Sequence, residues 1–405
     1  MQLLTNGKAF LRSDGRWGGT VWYKDDDGQR KRKSFCAATE QEVNIKMARF
    51  VAEFYRHPTL PTQPKRIAPT LKESMQDWLR IYKFPNIERT TYDRYEATAR
   101  HQIYPFIGDM PVTSVSSKDI QLLLNKLMLA NKSYSTVKKT YILLGEFFRH
   151  LAYCGAVPQN PILGVMFMKK ENFCAAQGKE LKPLCENVTV FSGEEIARIK
   201  TELQRRNENG KLVYPQGAAY ILMLNTGLRT GELLGLFNKD IDLVNRIIHV
   251  RHGVKVSNKR DGYVALGGLQ VTLGKTKTPT SVRDLPMNDI AFRAIILLRQ
   301  ERYFGENSPL VPDENGNITI PANFRYKFRK LMKNCGIQGR SLHSLRHTFA
   351  TKLVNGIRMP DGSICNLTVK QVADLLGHST SEVTELYYVK RDPQMLKGIT
   401  DNFNL

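Results

Sequence analysis

The chain has 405 residues, enough for two or three domains that each bury a core. Lys and Arg number 60 against 38 Asp and Glu, a formal net charge of +22, which exceeds what solubility requires and points to a polyanionic partner. No apolar run approaches the roughly 20 residues that span a bilayer, so nucleic acid fits that charge better than a membrane surface. The start, Met1 to Lys8, lacks the apolar core of a secretion signal. Cys36, Cys154, Cys174, Cys185, Cys335 and Cys365 form no C-x-x-C pair, which implies neither a zinc site nor a disulfide framework. Reduced thiols in the cytoplasm are expected.

Residues 1–60 read as a small β-sheet plus helix module. Trp17 to Tyr23 is aromatic and β-branched, as a strand requires. Asp25-Asp-Asp-Gly28 is a turn, and Gln29 to Phe35 returns as a strand carrying Arg30, Lys31, Arg32 and Lys33. Thr39 and Glu42 make a capping box. Val43, Met47, Phe50, Val51 and Phe54 then follow at helical spacing and would cover one face of the sheet. Four consecutive cations exceed what edge protection needs, so this strand is expected to contact DNA. Pro58, Pro61, Pro64 and Pro69 mark an extended linker.

Residues 68–165 read as all-α. Thr70 and Glu73 form a second capping box, followed by the stripe Met75, Trp78, Leu79 and Tyr82. Further helices are expected at Thr90–Ile103, from Ser117 through Leu127, and at Ser135–Tyr153, the last carrying Lys138 and Lys139 as DNA-facing cations. Gly155 and Pro158 stop it. Residues 162–185 lack periodicity and read as a connector.

Residues 186–405 read as a mixed, mainly-α domain. Ser192 and Glu195 cap one helix, and Pro215–Asn225 reads as another. Strands are expected at Ile247–Arg251 and Gln270–Leu273. Helical patterns follow at Asp289–Arg302, Ala322–Cys335, Ser344–Asn355, Thr368–Leu376 and Ser381–Tyr388.

Four fragments in this domain carry chemistry: Thr226-Gly-Leu-Arg229-Thr-Gly-Glu232, His343-Ser-Leu-Arg346-His347, Leu376-Gly-His378 and Tyr387-Tyr388. Guanidiniums grip phosphate oxygens through paired hydrogen bonds. Imidazoles exchange protons near neutral pH. A tyrosine oxygen can attack phosphorus and become a covalent phosphotyrosine. His343 and Arg346 lie three residues apart and can reach one pocket. His347 points about 100° away from Arg346 and reads as a packing residue. The two tyrosines also diverge by about 100°, so only one can face a phosphate.

In combination these motifs resemble the tyrosine recombinases, the integrases of phages and conjugative transposons. The resemblance covers most of the chain. It implies an arm-type DNA-binding domain at 1–60, a core-binding domain at 68–165 and the catalytic domain at 186–405. It implies Arg229 and Arg346 as the phosphate clamp, Glu232 as support for Arg229, and His343 and His378 as proton or hydrogen-bond partners. The family's general acid is a lysine on a β-hairpin. Lys277 fits best within Gly274-Lys-Thr-Lys277 to Arg283 and Pro286, with Lys275 as the alternative. Tyr388, followed by Val389 and Lys390, matches the family's ending better than Tyr387.

The expected enzyme is thus a site-specific recombinase of a mobile element. Its tyrosine leaves a 3′-phosphotyrosine and a free 5′-hydroxyl, and a partner 5′-hydroxyl reverses the step. Neither cofactor nor metal is expected, because arginines and lysine supply the positive charge. The expected partners are double-stranded attachment-site DNA, a homotetramer on that DNA, and an accessory bending protein or excisionase, in the cytoplasm at the bacterial nucleoid. Arg391 to Leu405 are expected to pack on a neighbouring protomer. The alternatives are a type IB topoisomerase-like activity and a non-catalytic DNA-binding regulator.

Overall fold

The structure is a computed structural model and describes residues 2–25, 28–56, 68–181, 188–275, 281–358, 364–365 and 367–388. The backbone divides into two compact units, Met1–Pro69 and Thr70–Leu405.

In the first unit β1 (Gln2–Leu3) and β2 (Ala9–Leu11) pair with one edge of β3 (Trp17–Lys24), and β4 (Arg30–Ala37) pairs with the other, all antiparallel. Helix α1 (Glu40–Arg56) covers one face, where Val21, Val43 and Met47 are buried. Alternation along β4 splits the four cations. Lys33 is registered with the buried Val21, and Arg32 with Trp22 on the other face. Arg30 and Arg32 therefore share the open face, their guanidiniums 4.5 and 5.9 Å from the Trp22 ring centre. Lys31 leans on the α1 side and pairs with Asp25 at 2.8 Å.

The second unit opens with α2 (Leu71–Trp78), started by the Thr70–Glu73 capping box. Helix α3 (Arg89–Thr98) widens into a π-turn at Ala99–Ile103 before α4 (Tyr104–Ile107). The helix expected over Thr90–Ile103 is found, but its last five residues form a π-turn, where Pro105 supplies no N–H to the ladder. Helices α5 (Ser117–Leu129) and α6 (Tyr134–Tyr153) complete a core built on Met75, Trp78, Leu124, Leu144, Phe147 and Phe148. The supposed connector holds a further helix, α7 (Lys170–Ala176), whose Phe173 is buried in that same core.

A second core begins at α8 (Gly193–Leu203) and continues with α9 (Gly217–Thr226) and α10 (Thr230–Leu234). Strands β5 (Ile241–Asp242), β6 (Ile247–Val250) and β9 (Arg283–Pro286) form an antiparallel sheet. Between them β7 (His252–Asp261) and β8 (Val264–Lys275) make a long hairpin. The strand expected at Gln270–Leu273 is part of β8, whereas β7, with its polar stretch from Ser257 to Asp261, was not expected. The hairpin docks on α3, where Arg260 meets Asp93 at 2.6 Å and Glu96 at 2.8 Å. Helices α11 (Asp289–Glu301), α12 (Pro321–Asn334) and α13 (Leu342–Asn355) pack next. The short pair β10 (Ile357–Arg358) and β11 (Ile364–Cys365) leads to α14 (Val369–Leu376) and α15 (Ser381–Tyr388). Among the described residues no helix is long and apolar enough to cross a membrane.

Candidate active site

The site forms where α9, α13, α14 and α15 converge. Helix α9 ends at Gly227, whose φ of +64° is left-handed. A Cβ there would lie 2.5 Å from Phe349, so both backbone and space require glycine. The chain then turns into α10 with Arg229 at its N-cap. Glu232 reaches back to the Arg229 backbone N–H at 3.0 Å and to its guanidinium at 2.6 Å. The other Glu232 oxygen also accepts from Arg283 Nη2 at 2.9 Å. Burial alone would raise the Glu232 pKa, but Arg283 and Arg229 hold it below the ordinary value.

Arg346, on α13, is 1% exposed. Its Nη1 donates to the Gly227 carbonyl at 2.6 Å and its Nη2 to the Leu376 carbonyl at 2.8 Å. Helix α14 ends at the left-handed Gly377, leaving its last carbonyls open. Three arginines take them in succession: Arg283 the Leu375 carbonyl at 2.8 Å, Arg346 that of Leu376, and Arg229 that of Gly377 at 3.3 Å. Cations are favoured at a helix C-terminus, so α14 acts as the socket of the guanidinium cluster. Burial, then Arg229, pulls the Arg346 guanidinium down to about 9, still charged at neutral pH. An incoming phosphate would supply the missing negative charge.

His378 follows Gly377. Its Nε2 lies 3.0 Å from Arg346 Nη2 and its Nδ1 lies 2.8 Å from the buried Thr384 hydroxyl. Arginine only donates, so Nε2 accepts and the proton sits on Nδ1. Burial, then Arg346 and Arg229, bring His378 down to about 4. The imidazole is neutral and steadies Arg346. His343 is more exposed, and among the described residues nothing hydrogen-bonds its ring. Packing around that ring, then Arg346 and Arg229, lower its pKa as well.

The adjacent tyrosines differ sharply. Tyr388 is 4% exposed and Tyr387 36%. Burial raises the Tyr388 pKa, while Arg346 and Arg229 act against that rise. Its hydroxyl lies 2.8 Å from His347 Nδ1. His347 is therefore more than the packing residue expected, because the turn away from Arg346 aims it at α15. Arg283 is the other residue that sequence reasoning passed over, using it only to measure spacing to Lys277. Its three hydrogen bonds go to the Leu375 carbonyl of α14, the Ser281 carbonyl and Glu232 on α10, a meeting of separate elements that no local pattern announces.

Lys277 lies outside the described residues, as do residues 389–405. Strand β8 ends at Lys275, and nothing is described of that side chain. Lys138 and Lys139 are exposed on α6, and among the described residues neither joins an ion pair. Arg30, Lys31, Arg32 and Lys33 are exposed on β4 in the first unit.

Residues 190–394 match the phage integrase family, and residues 70–128 match its N-terminal SAM-like domain. The chain is 25% identical to a "Tyrosine recombinase XerC-like" protein of Caldanaerobacter subterraneus subsp. tengcongensis, over 98% of this chain and 97% of that one. Its fold is similar to that of the Tn1549 transposon integrase in complex with a circular intermediate DNA. That likeness has a TM-score of 0.64 at 20% identity and covers 82% of this chain and 99% of that one. It is also similar to a lambda integrase dimer bound to a COC′ core site, with a TM-score of 0.55 at 16% identity and 97% of each chain covered.

Proposed function

The chain belongs to the phage integrase family and is a tyrosine recombinase, and we propose that Tyr388 is the nucleophile with which it breaks and rejoins DNA. The observation that carries this reading is the placement of the two phenols. Tyr388 is the one turned inward, within the field of both Arg346 and Arg229. Its oxygen attacks one phosphodiester of a specific site. Arg229 and Arg346 neutralise the charge that builds on the non-bridging oxygens in the transition state. Glu232, braced by Arg283, orients Arg229. His378 orients Arg346, and His343 donates to the phosphate.

Protonation of the leaving 5′ oxygen falls to Lys277, which follows β8 in the chain. The product is a 3′-phosphotyrosine that a 5′-hydroxyl of a second duplex reverses. No nucleotide is consumed, because the ester conserves the energy of the broken bond. Arg30 and Arg32, and separately Lys138 and Lys139, contact the DNA backbone. The working assembly is a homotetramer on two sites of a mobile element, assisted by a bending protein or excisionase, in the bacterial cytoplasm.

A nicked suicide duplex, which loses the fragment needed for religation, tests the assignment. Covalent protein–DNA complex is expected with wild type and with Tyr387→Phe, and none with Tyr388→Phe. Trapping by Tyr388→Phe but not by Tyr387→Phe reverses the assignment. Relaxation of supercoiled plasmid lacking any attachment site would favour a topoisomerase role instead.

A further inference from the structure

The phenolic proton of Tyr388 needs an acceptor. Phenolate is the attacking form, and burial makes it scarce at neutral pH. Arg229 and Arg346 can stabilise phenolate, but guanidiniums do not take up protons. The acceptor nitrogen of His378 is already committed to Arg346, and among the described residues His343 makes no hydrogen bond to the phenol. His347 Nδ1 sits 2.8 Å from the Tyr388 hydroxyl, within direct proton-transfer reach.

Resting on the reading of Tyr388 as nucleophile, we propose that His347 is the general base that takes its proton during strand cleavage and returns it during rejoining. Four residues placed on one another build the arrangement. His343 lies one turn before His347 on α13, with ring centres 4.4 Å apart at 84°. From α15 the Tyr388 ring lies 5.5 Å away and the Tyr387 ring 6.4 Å, the latter nearly parallel. Among the described residues, the charged and titratable groups facing His347 are thus His343 and Arg346 from α13, and Tyr387 and Tyr388 from α15. Burial, then His343 and Arg346, hold the imidazole down to about 4, so it is neutral at working pH. With its own proton on Nε2, Nδ1 accepts from the tyrosine. A bound phosphodiester places negative charge beside Arg346 and relieves part of the repulsion that weakens His347 as a base.

In cleavage the Oη–H bond breaks and its proton moves to Nδ1. The Oη–P bond forms, the P–O5′ bond breaks, and the 5′ oxygen takes a proton from the lysine ammonium assigned to Lys277. Rejoining runs each transfer backwards. The 5′-hydroxyl yields its proton to the lysine amine, the phosphotyrosine bond breaks, and the imidazolium reprotonates Oη.

The test is single-turnover cleavage of the suicide duplex by the full chain, measured across pH. His347→Asn puts an amide oxygen near the Nδ1 position, able to accept the hydrogen bond but unable to take the proton. The expected loss is about 100-fold near neutral pH, with melting temperature and DNA affinity kept. The rate should then climb about tenfold per pH unit toward wild type, because only pre-formed phenolate reacts. A duplex with sulfur replacing the bridging 5′ oxygen needs no acid, so it should restore Lys277→Ala but not His347→Asn. His347→Gln, read in the same way, serves should the Asn variant unfold. A wild-type rate in both variants overturns the proposal. So does a loss of equal size at every pH, or one restored by the sulfur substrate. Covalent complex formed by Tyr388→Phe would instead sink the nucleophile assignment itself, whatever the histidine variants do.

Discussion

Arg346 and the Arg30–Arg32 pair show two ways of holding a guanidinium. Arg346 is 1% exposed, fixed by two backbone carbonyls and a neutral imidazole. Arg30 and Arg32 lie exposed on an open sheet face, steadied among the described residues by the Trp22 ring. A buried cation costs desolvation in advance and then acts on a phosphate without reorganising, which suits a transition state. An exposed cation gives up little on binding and is screened by salt, which suits affinity along a charged backbone.

The first way to break this comparison is at Arg346. Arg346→Ala should lower single-turnover cleavage by about 1,000-fold, about 4 kcal/mol of transition-state stabilisation, while DNA binding in a gel-shift assay changes little. Loss of binding equal to the loss of rate would show that Arg346 serves affinity as well. Next in size is Glu232, which is 5% exposed between Arg229 and Arg283. Glu232→Gln should cost about 3 kcal/mol in denaturant unfolding, because two guanidiniums lose their shared counter-charge. The pH dependence has a defined sign. The folded Glu232 pKa is below its unfolded value, so its contribution is present above the ordinary glutamate range near about 4.3 and is lost as pH falls through the folded value. The Gln variant should lack that part of the acid destabilisation, and an unchanged acid limb would count against the pair. Smallest is the double variant Arg30→Ala/Arg32→Ala. It should reduce the slope of log affinity against log salt by about 2 on attachment-site DNA, and leave the cleavage rate of bound DNA untouched. A cleavage defect there would erase the division of labour.

How much of this was legible depends on whether a residue's role is local. The capping residues Thr70 and Ser192 sit where their short-range pattern put them. Arg229, Glu232, Arg346, His378 and Tyr388 do come together in space, and they stood out because each belongs to a compact motif. Arg283 and His347 did not stand out, since each depends on another helix arriving. Arg283 needs the C-terminal turn of α14, and His347 needs α15. The hairpin of β7 and β8 was read only in part, because its partner surface on α3 lies more than 160 residues earlier in the chain. The π-turn at Ala99–Ile103 was not legible, because it is set by the packing around Ala99 and Ile103.

That hairpin has a consequence for engineering. Arg260 is 5% exposed, between Asp93 and Glu96 and over the Tyr92 ring. The two cores of the second unit are therefore stitched by a charge that neither can leave behind. A chimera that takes its helical half from a relative must bring carboxylates to the places of Asp93 and Glu96. Otherwise it leaves a largely covered guanidinium without its counter-charges. Target-site reprogramming by swapping halves is thus constrained at α3 as well as at the chosen splice point.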